Sequence, residues 1–271
     1  MVVKDDIIKQ KVKEAYGKIA LVGSSSEGCC APGECCGSSS GSGNGNQTMM
    51  SPLQIAERIG YETNDLNSIP ESSILGVGCG APVKFANMRQ GEVVVDIGSG
   101  GGIDVFLSAN KVKQSGRVIG IDMTDKMLEK ASNHAKQNGY SNVEFKKGDI
   151  EKGIPINDNS ADVVISNCVI NLTIDKIAAF KEIYRILKTA GGRMVISDLV
   201  TSKEVDPESA DSDKWCSCID GALTKEHYLD SIREAGFSYI EVLEEKLYMD
   251  GVGNNNDSRL ITSLVIKAVK T

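Results

Sequence analysis

Histidine is almost missing from this chain: His134 and His227 are the only two in 271 residues. A Ser-His-Asp triad, a histidine-type zinc site or an imidazole acid/base pair would have to draw on those two, so the common hydrolase chemistries are poorly provided for. A basic excess is missing too. Thirty Lys and Arg stand against 37 Asp and Glu, a formal charge of −7. No block of basic residues offers itself to a phosphate backbone or an anionic lipid surface, so neither nucleic acid nor membrane is expected as a partner. No stretch approaches the ~18 apolar residues of a membrane span. The N-terminus from Met1 to Tyr16 is a charged, helix-compatible run without the apolar core of a signal peptide. The expectation is a cytoplasmic protein. What the chain does have is 41% apolar residues, enough for one substantial core, and eight cysteines: Cys29, Cys30, Cys35, Cys36, Cys79, Cys168, Cys216 and Cys218. In a reducing cytosol these are ligands, redox groups or small buried residues rather than structural disulfides.

Composition divides the chain. Gly, Ser and Asn dominate residues 23–48, a segment with wide backbone freedom and little to bury, which reads as a flexible connector. It carries the vicinal pairs Cys29-Cys30 and Cys35-Cys36. The expected division is therefore a helix plus flexible cysteine-rich segment over residues 1–48, then one domain over 49–271. Ser51 as N-cap, Pro52 at the first helical position and Gly60 as terminator mark a short helix. The run from Leu75 to Pro82, with glycines at 76, 78 and 80 around Cys79, predicts a tight irregular loop. From Glu92 onward, apolar runs at 93–97, 118–121, 143–145, 161–165 and 194–196 predict strands. Helical patterns at 103–111, 126–138, 174–187 and 225–235 lie between and after them. Such alternation gives βαβ units and a parallel sheet covered on both faces. Two extended runs, 239–247 and 260–269, joined by a Gly/Asn turn, predict a hairpin closing one edge. The expected fold is α/β: a doubly wound, mostly parallel, Rossmann-like seven-stranded sheet with a C-terminal antiparallel hairpin and a flexible Cys/Gly/Ser-rich N-terminal segment.

The segment from Val93 to Phe106 places a buried strand, a glycine turn and a helix start in succession, so that backbone N–H groups can approach a nucleotide-like cofactor closely. A dinucleotide fingerprint would put Gly or Ala where Ile103 stands, and a pyrophosphate would want no acid nearby. Asp96, two residues before Gly98, argues instead for a cofactor with a cationic group. The second strand ends at Asp122, where a ribose diol can be hydrogen-bonded. Asp149 and Ile150 follow the third strand and suit the edge and face of an adenine, and the fourth strand ends at Ser166-Asn167-Cys168.

In this order, the acid, the glycines, the second acid and the Gly-Asp pair resemble the class I S-adenosylmethionine-dependent methyltransferases. The resemblance implies that Asp96, Gly98, Gly100 and Gly102 face the methionine part, Asp122 and Met123 the ribose and adenine, and Asp149 and Ile150 the adenine. It also implies that Asn167 meets the methionine amine or backbone.

In doubly wound sheets ligands bind beyond the carboxyl ends of the strands, which is where Cys168 stands. Cys79 lies on its glycine loop, and Cys216 and Cys218 follow the fifth strand, where this class inserts substrate-covering segments. Thiolates with scarcely any histidine select soft centres. Four-cysteine zinc sites favour paired knuckles, which these spacings do not supply. Trivalent arsenic matches better, because it binds three thiolates in a pyramid and keeps a lone pair that can attack a sulfonium methyl.

With the N-terminal cysteine pairs, Gly78-Cys79-Gly80-Ala81-Pro82, the run from Ser166 to Leu172 and the run from Cys218 to Leu223, the resemblance narrows to the arsenite methyltransferases. Members of that family often continue with a further domain after the sheet, and no role of such a domain carries over here. The resemblance implies that Cys79, Cys168 and Cys218 bind As(III), with Cys216 the less certain ligand. Arsenite and methylated arsenicals are then the substrates and S-adenosylmethionine the methyl donor. Enforced in-line alignment can contribute roughly 7–11 kcal/mol to such a transfer. No general base is required, since the attacking lone pair carries no proton. The two electrons lost by arsenic would be returned by thiols, for which Cys29, Cys30, Cys35 and Cys36 are candidates, with glutathione or a thioredoxin-like protein as reductant. Two other functions compete: a class I methyltransferase for a small carbon, oxygen or sulfur acceptor such as a quinone or sterol, and a non-enzymatic metalloid-sequestering protein. Thr124 and Asp125 are expected to cap the following helix, His134 to sit on its exposed face, and Trp215 either to shield arsenic or to anchor packing.

Overall fold

The computed structural model describes residues 2–22, 50–206, 210, 212–252 and 258–271. A 21-residue helix, α1 (Val2–Val22), precedes three short ones, α2 (Pro52–Arg58), α3 (Thr63–Leu66) and α4 (Pro82–Phe85). The alternating part runs β1 (Val93–Ile97), α5 (Ile103–Val112), β2 (Arg117–Asp122), α6 (Asp125–Gln137), β3 (Val143–Lys147), β4 (Val163–Asn167), α7 (Lys176–Ile186) and β5 (Arg193–Thr201). It closes with α8 (Ser212–Cys216), α9 (Lys225–Glu234), β6 (Tyr239–Val252) and β7 (Arg259–Val269).

The strands form one seven-stranded sheet in the order β3-β2-β1-β4-β5-β7-β6. The first five run parallel, and β7 pairs antiparallel with both β5 and β6. The expected architecture is thus present, including the hairpin edge. Order reverses between β1 and β4, and that switch point is where a doubly wound sheet opens a crevice for ligands. Both sheet faces are covered. Val95, Ile97, Val164 and Ile196 pack on Phe180 and Ile183 of α7 and Tyr228 of α9; Val94, Val118 and Ile165 pack on Val105 and Phe106 of α5 on the opposite side.

Local chemistry sets the helix starts. Ser51 and Gln54 form a reciprocal capping box ahead of Pro52 in α2, and Asp175 and Thr224 cap α7 and α9. Two expectations at α6 are corrected. Thr124 occupies the N-cap position, but its side chain makes no capping bond; its backbone N–H is instead held by Asp122 Oδ1 at 2.8 Å. His134 is buried rather than exposed, because its ring nitrogen meets Ser72 Oγ at 2.9 Å in the layer that residues 71–73 lay over α6. Burial holds its pKa below the usual value. Among the described residues no helix is long and apolar enough to cross a membrane.

Candidate functional site

The turn after β1 needs its glycines. Gly98, Gly100 and Gly102 have φ of 71°, 50° and 97°, in the left-handed region that side chains resist. A Cβ on Gly98 would lie 2.3 Å from Val169 Cγ2. Gly100 has open space in front of it and donates its N–H to Asp122 Oδ2 at 2.9 Å. Asp122 therefore holds the turn as well as facing the crevice. One cavity over the carboxyl ends of β1, β2, β3 and β4 is lined by Asp96, Gly98, Gly100, Asp122, Met123, Asp149, Ile150 and Asn167. Gly102 alone of the predicted cofactor residues lies outside that lining and serves as the left-handed N-cap of α5.

Buried carboxyl groups gather at the base of the cavity. Burial, reinforced by Asp104 and Asp122, pushes the Asp96 carboxyl well above its usual range. Burial also pushes Asp104 up to about 7 and raises Asp122. The one Lys or Arg lining the cavity among the described residues is Lys9 of α1, and its ammonium reaches Asp149 at 2.9 Å and Glu151 at 2.7 Å instead. Buried carboxylates without a nearby cation fit a ligand that brings its own positive charge.

α1 forms the roof, with Lys9, Val12 and Tyr16 lining the cavity. Ile8, Val12 and Ala15 pack on Trp215 and Cys216. The Tyr16 hydroxyl donates to the Cys216 carbonyl at 3.4 Å, and Lys130 Nζ donates to the Ala20 carbonyl at 3.1 Å. Trp215 is a packing anchor here, its indole N–H bonded to the Leu172 carbonyl at 3.2 Å.

Next to the cavity lies a cluster of thiols. Cys79, Cys168 and Cys218 join one apolar group with Leu199, Ile219 and Ile261. The Cys79 and Cys168 sulfurs and a carboxylate oxygen of Asp198 all lie within 4.8 Å of one another. Cys218 Sγ donates to the Cys168 carbonyl at 3.1 Å. Cys216, the less certain ligand, is not brought into this group, since it packs under α1. Cys168 and Cys218 have φ of 56° and 65°, an unfavourable backbone for side-chain-bearing residues that a packed surrounding has to maintain. Burial, then the neighbouring Cys218 and Cys79, push the Cys168 thiol well up. Cys29, Cys30, Cys35 and Cys36 lie outside the described residues.

The Cys79 loop is squeezed against the end of β4 and the middle of β5. A Cβ on Gly78 would meet Asn167 Nδ2 at 2.9 Å, and one on Gly80 would meet Ser197 Oγ at 2.2 Å. Asn167, expected to face a cofactor's methionine end, spends its amide on this loop: Nδ2 donates to the Gly80 carbonyl at 2.6 Å, and Oδ1 accepts from Cys79 N at 3.1 Å. Ser263 of β7 donates to the Cys79 carbonyl at 2.7 Å. Sequence reasoning missed three residues. Asp198 accepts from Leu199 N, Asn171 N and Tyr228 Oη, and burial pushes it up to about 6. Asp104 and Tyr61 are bonded to each other. Asp198 had one readable signal, the carboxyl end of a central strand, obscured because β5 was expected to stop at Ile196.

Sheet order, glycine turn and crevice define a class I methyltransferase fold, and the chain belongs to the family described as "Methyltransferase domain", whose model matches residues 88–236. Within that class it is similar to an arsenite methyltransferase of Halobacterium salinarum, 40% identical over 243 residues, covering 86% of this chain and 58% of the relative. An arsenite methyltransferase of Mus musculus is 41% identical over 176 residues, covering 60% and 45%. The chain thus spans about half the length of these curated relatives. Among solved structures, an arsenic(III) S-adenosylmethionine methyltransferase of Chlamydomonas reinhardtii superposes with a TM-score of 0.61 at 28% identity, covering 80% of this chain and 73% of that one.

Proposed function

We propose that the protein is an arsenite methyltransferase that uses S-adenosylmethionine to methylate thiol-bound trivalent arsenic. One observation carries this reading: Cys168 belongs to both sites, lining the cofactor cavity and standing in the thiol cluster. A nucleophile held by Cys168 is thereby adjacent to whatever the cavity holds. Family membership supports S-adenosylmethionine as methyl donor, and the buried carboxylates suit its charge. Asp96, Gly98, Gly100 and Gly102 would hold its methionine part, Asp122 and Met123 its ribose and adenine, and Asp149 and Ile150 its adenine. Bound there, it supplies an electrophilic methyl group.

Cys79, Cys168 and Cys218 hold the arsenic as thiolates, exchanging with the thiols that deliver it. Their apolar surroundings exclude water, and their fixed backbone sets the direction of the arsenic lone pair. Cys216 stands outside this set. The reductant is a small thiol or a thioredoxin-like protein, with Cys29, Cys30, Cys35 and Cys36 as its intermediaries, and the reaction belongs to the cytoplasm.

The test is an assay of purified protein with arsenite, S-adenosylmethionine and a thiol, read by mass detection of methylated arsenicals. Wild type produces them and Cys168→Ser does not; absence of product from wild type overturns the reading. A methyltransferase for a quinone or sterol would tolerate Cys168→Ser.

A further inference from the structure

We infer that Tyr61 is a positioning residue that ties the cofactor cavity to the Cys79 thiol. Tyr61 follows the C-terminus of α2, where Gly60 turns at φ 114° and Tyr61 N bonds back to the Ala56 carbonyl at 3.1 Å. Its side chain is thereby sent into the interior, 6% exposed, and it lines the cavity. The hydroxyl donates to Asp104, 2.9 Å from each carboxylate oxygen. It accepts from Asn167 Nδ2, also at 2.9 Å. Asn167 in turn accepts from Cys79 N.

The direction of this chain is fixed by its ends. Flipping the Asn167 amide would turn its oxygen toward the Gly80 carbonyl and its NH2 toward the Cys79 N–H, two repulsive contacts. Every donor therefore points the same way, from Cys79 N–H through Asn167 and Tyr61 to Asp104, so each bond polarises the next. Asp104 neighbours Asp96 among the buried carboxyl groups at the base of the cavity. A cation bound there compensates the charge on which the chain ends, and the Tyr61 hydroxyl passes this change to Asn167, alongside the direct contact of Asn167 with Asp104. Asn167 Oδ1 lies 3.8 Å from Cys79 Sγ, and its Nδ2 holds the Gly80 carbonyl at 2.6 Å, so reorienting that amide moves the Cys79 loop. The inference deepens the function proposed above, since it makes one arsenic-binding thiol responsive to the methyl donor.

Tyr61→Phe keeps the ring and removes the link. Cys79 alkylation by iodoacetamide is followed by peptide mass spectrometry with and without S-adenosylmethionine. In wild type the donor changes the Cys79 rate by about fivefold or more, the lower end of ordinary coupling between sites. In Tyr61→Phe, saturated with donor, the change shrinks; direct shielding by the donor would survive the substitution in full. Asp104→Asn leaves Tyr61 an acceptor but removes the charge on which the chain ends, and gives the same uncoupling should Tyr61→Phe fold poorly. Arsenite affinity is then measured with and without sinefungin, a charged donor analogue without a transferable methyl. The affinity ratio departs from one in wild type and moves toward one in Tyr61→Phe. An unchanged alkylation ratio between wild type and both variants, or no donor effect in wild type, overturns the role of Tyr61. A wild type that binds no arsenite overturns the proposed function, while the alkylation ratio still decides this inference.

Discussion

Arg259 and Asp220 meet at 2.6 Å with each side chain 5% exposed, two residues beyond Cys218. This pair fastens the Cys218 loop to β7, helped by Gly221, whose missing Cβ lets the Asn171 carbonyl approach. Removing one partner of a buried pair strands the other charge, at about 3–5 kcal/mol, whereas replacing both with apolar residues is often neutral. Asp220→Asn should therefore lower the melting temperature sharply, and Asp220→Leu combined with Arg259→Met should recover most of it, as read by thermal denaturation. Asp104 makes a pH prediction. Its folded pKa of about 7 lies above the ordinary 3.8, so the folded state holds an extra proton between those values. That stability is complete below pH 4 and is lost as pH rises through about 7. A cationic ligand favours the ionised carboxylate, so its binding releases a proton and tightens from pH 6 to pH 8. Calorimetry in buffers of different ionisation enthalpy should show that release, and Asp104→Asn should flatten it. The singular chemistry of Cys79, Cys168 and Cys218 made them legible in the sequence. Tyr61 was not, because its partners Asp104 and Asn167 lie 43 and 106 residues away and no local pattern marks it.

The strands were legible from their apolar runs, since parallel strands buried on both faces lack polar interruption. β5 was under-read because Ser197 and Asp198 break its run, yet both are buried and bonded in the thiol site. α1 was legible as a helix, but its docking partner was not: its mixed face carries Lys9, Val12 and Tyr16 into the cavity while Ile8 and Ala15 meet α8. Lys9 holds the roof to Asp149 and Glu151 at the end of the cavity suited to adenine. Lys9→Ala should loosen that roof and speed cofactor dissociation about fivefold, corresponding to roughly 1 kcal/mol for a partly exposed ion pair. Trp215, the single tryptophan, lies under α1, so stopped-flow fluorescence can follow the change; an unaltered dissociation rate would show that the roof does not depend on Lys9.

At the scale of the whole molecule, the cofactor cavity and the thiol cluster adjoin at Cys168, and a ligand bound at either would stabilise the folded state by mass action, about 2.7 kcal/mol at a hundred times its dissociation constant. Arsenite should raise the melting temperature of wild type and leave Cys168→Ser unmoved, while S-adenosylmethionine should still raise that of the variant. β7 gives this division an order in time. Its residues Arg259, Ile261 and Ser263 anchor the Cys218 loop, the apolar wall of the thiol cluster and the Cys79 carbonyl, and it is translated after every other described element. The ribosome thus releases the cofactor half of the sheet, β1 to β4, well before the thiols acquire their fixed places. Until residues 259–269 emerge, Cys79, Cys168 and Cys218 lack these contacts and are expected to react as accessible thiols. Pulse alkylation during synthesis should label them in chains halted before residue 259 and spare them once β7 has paired.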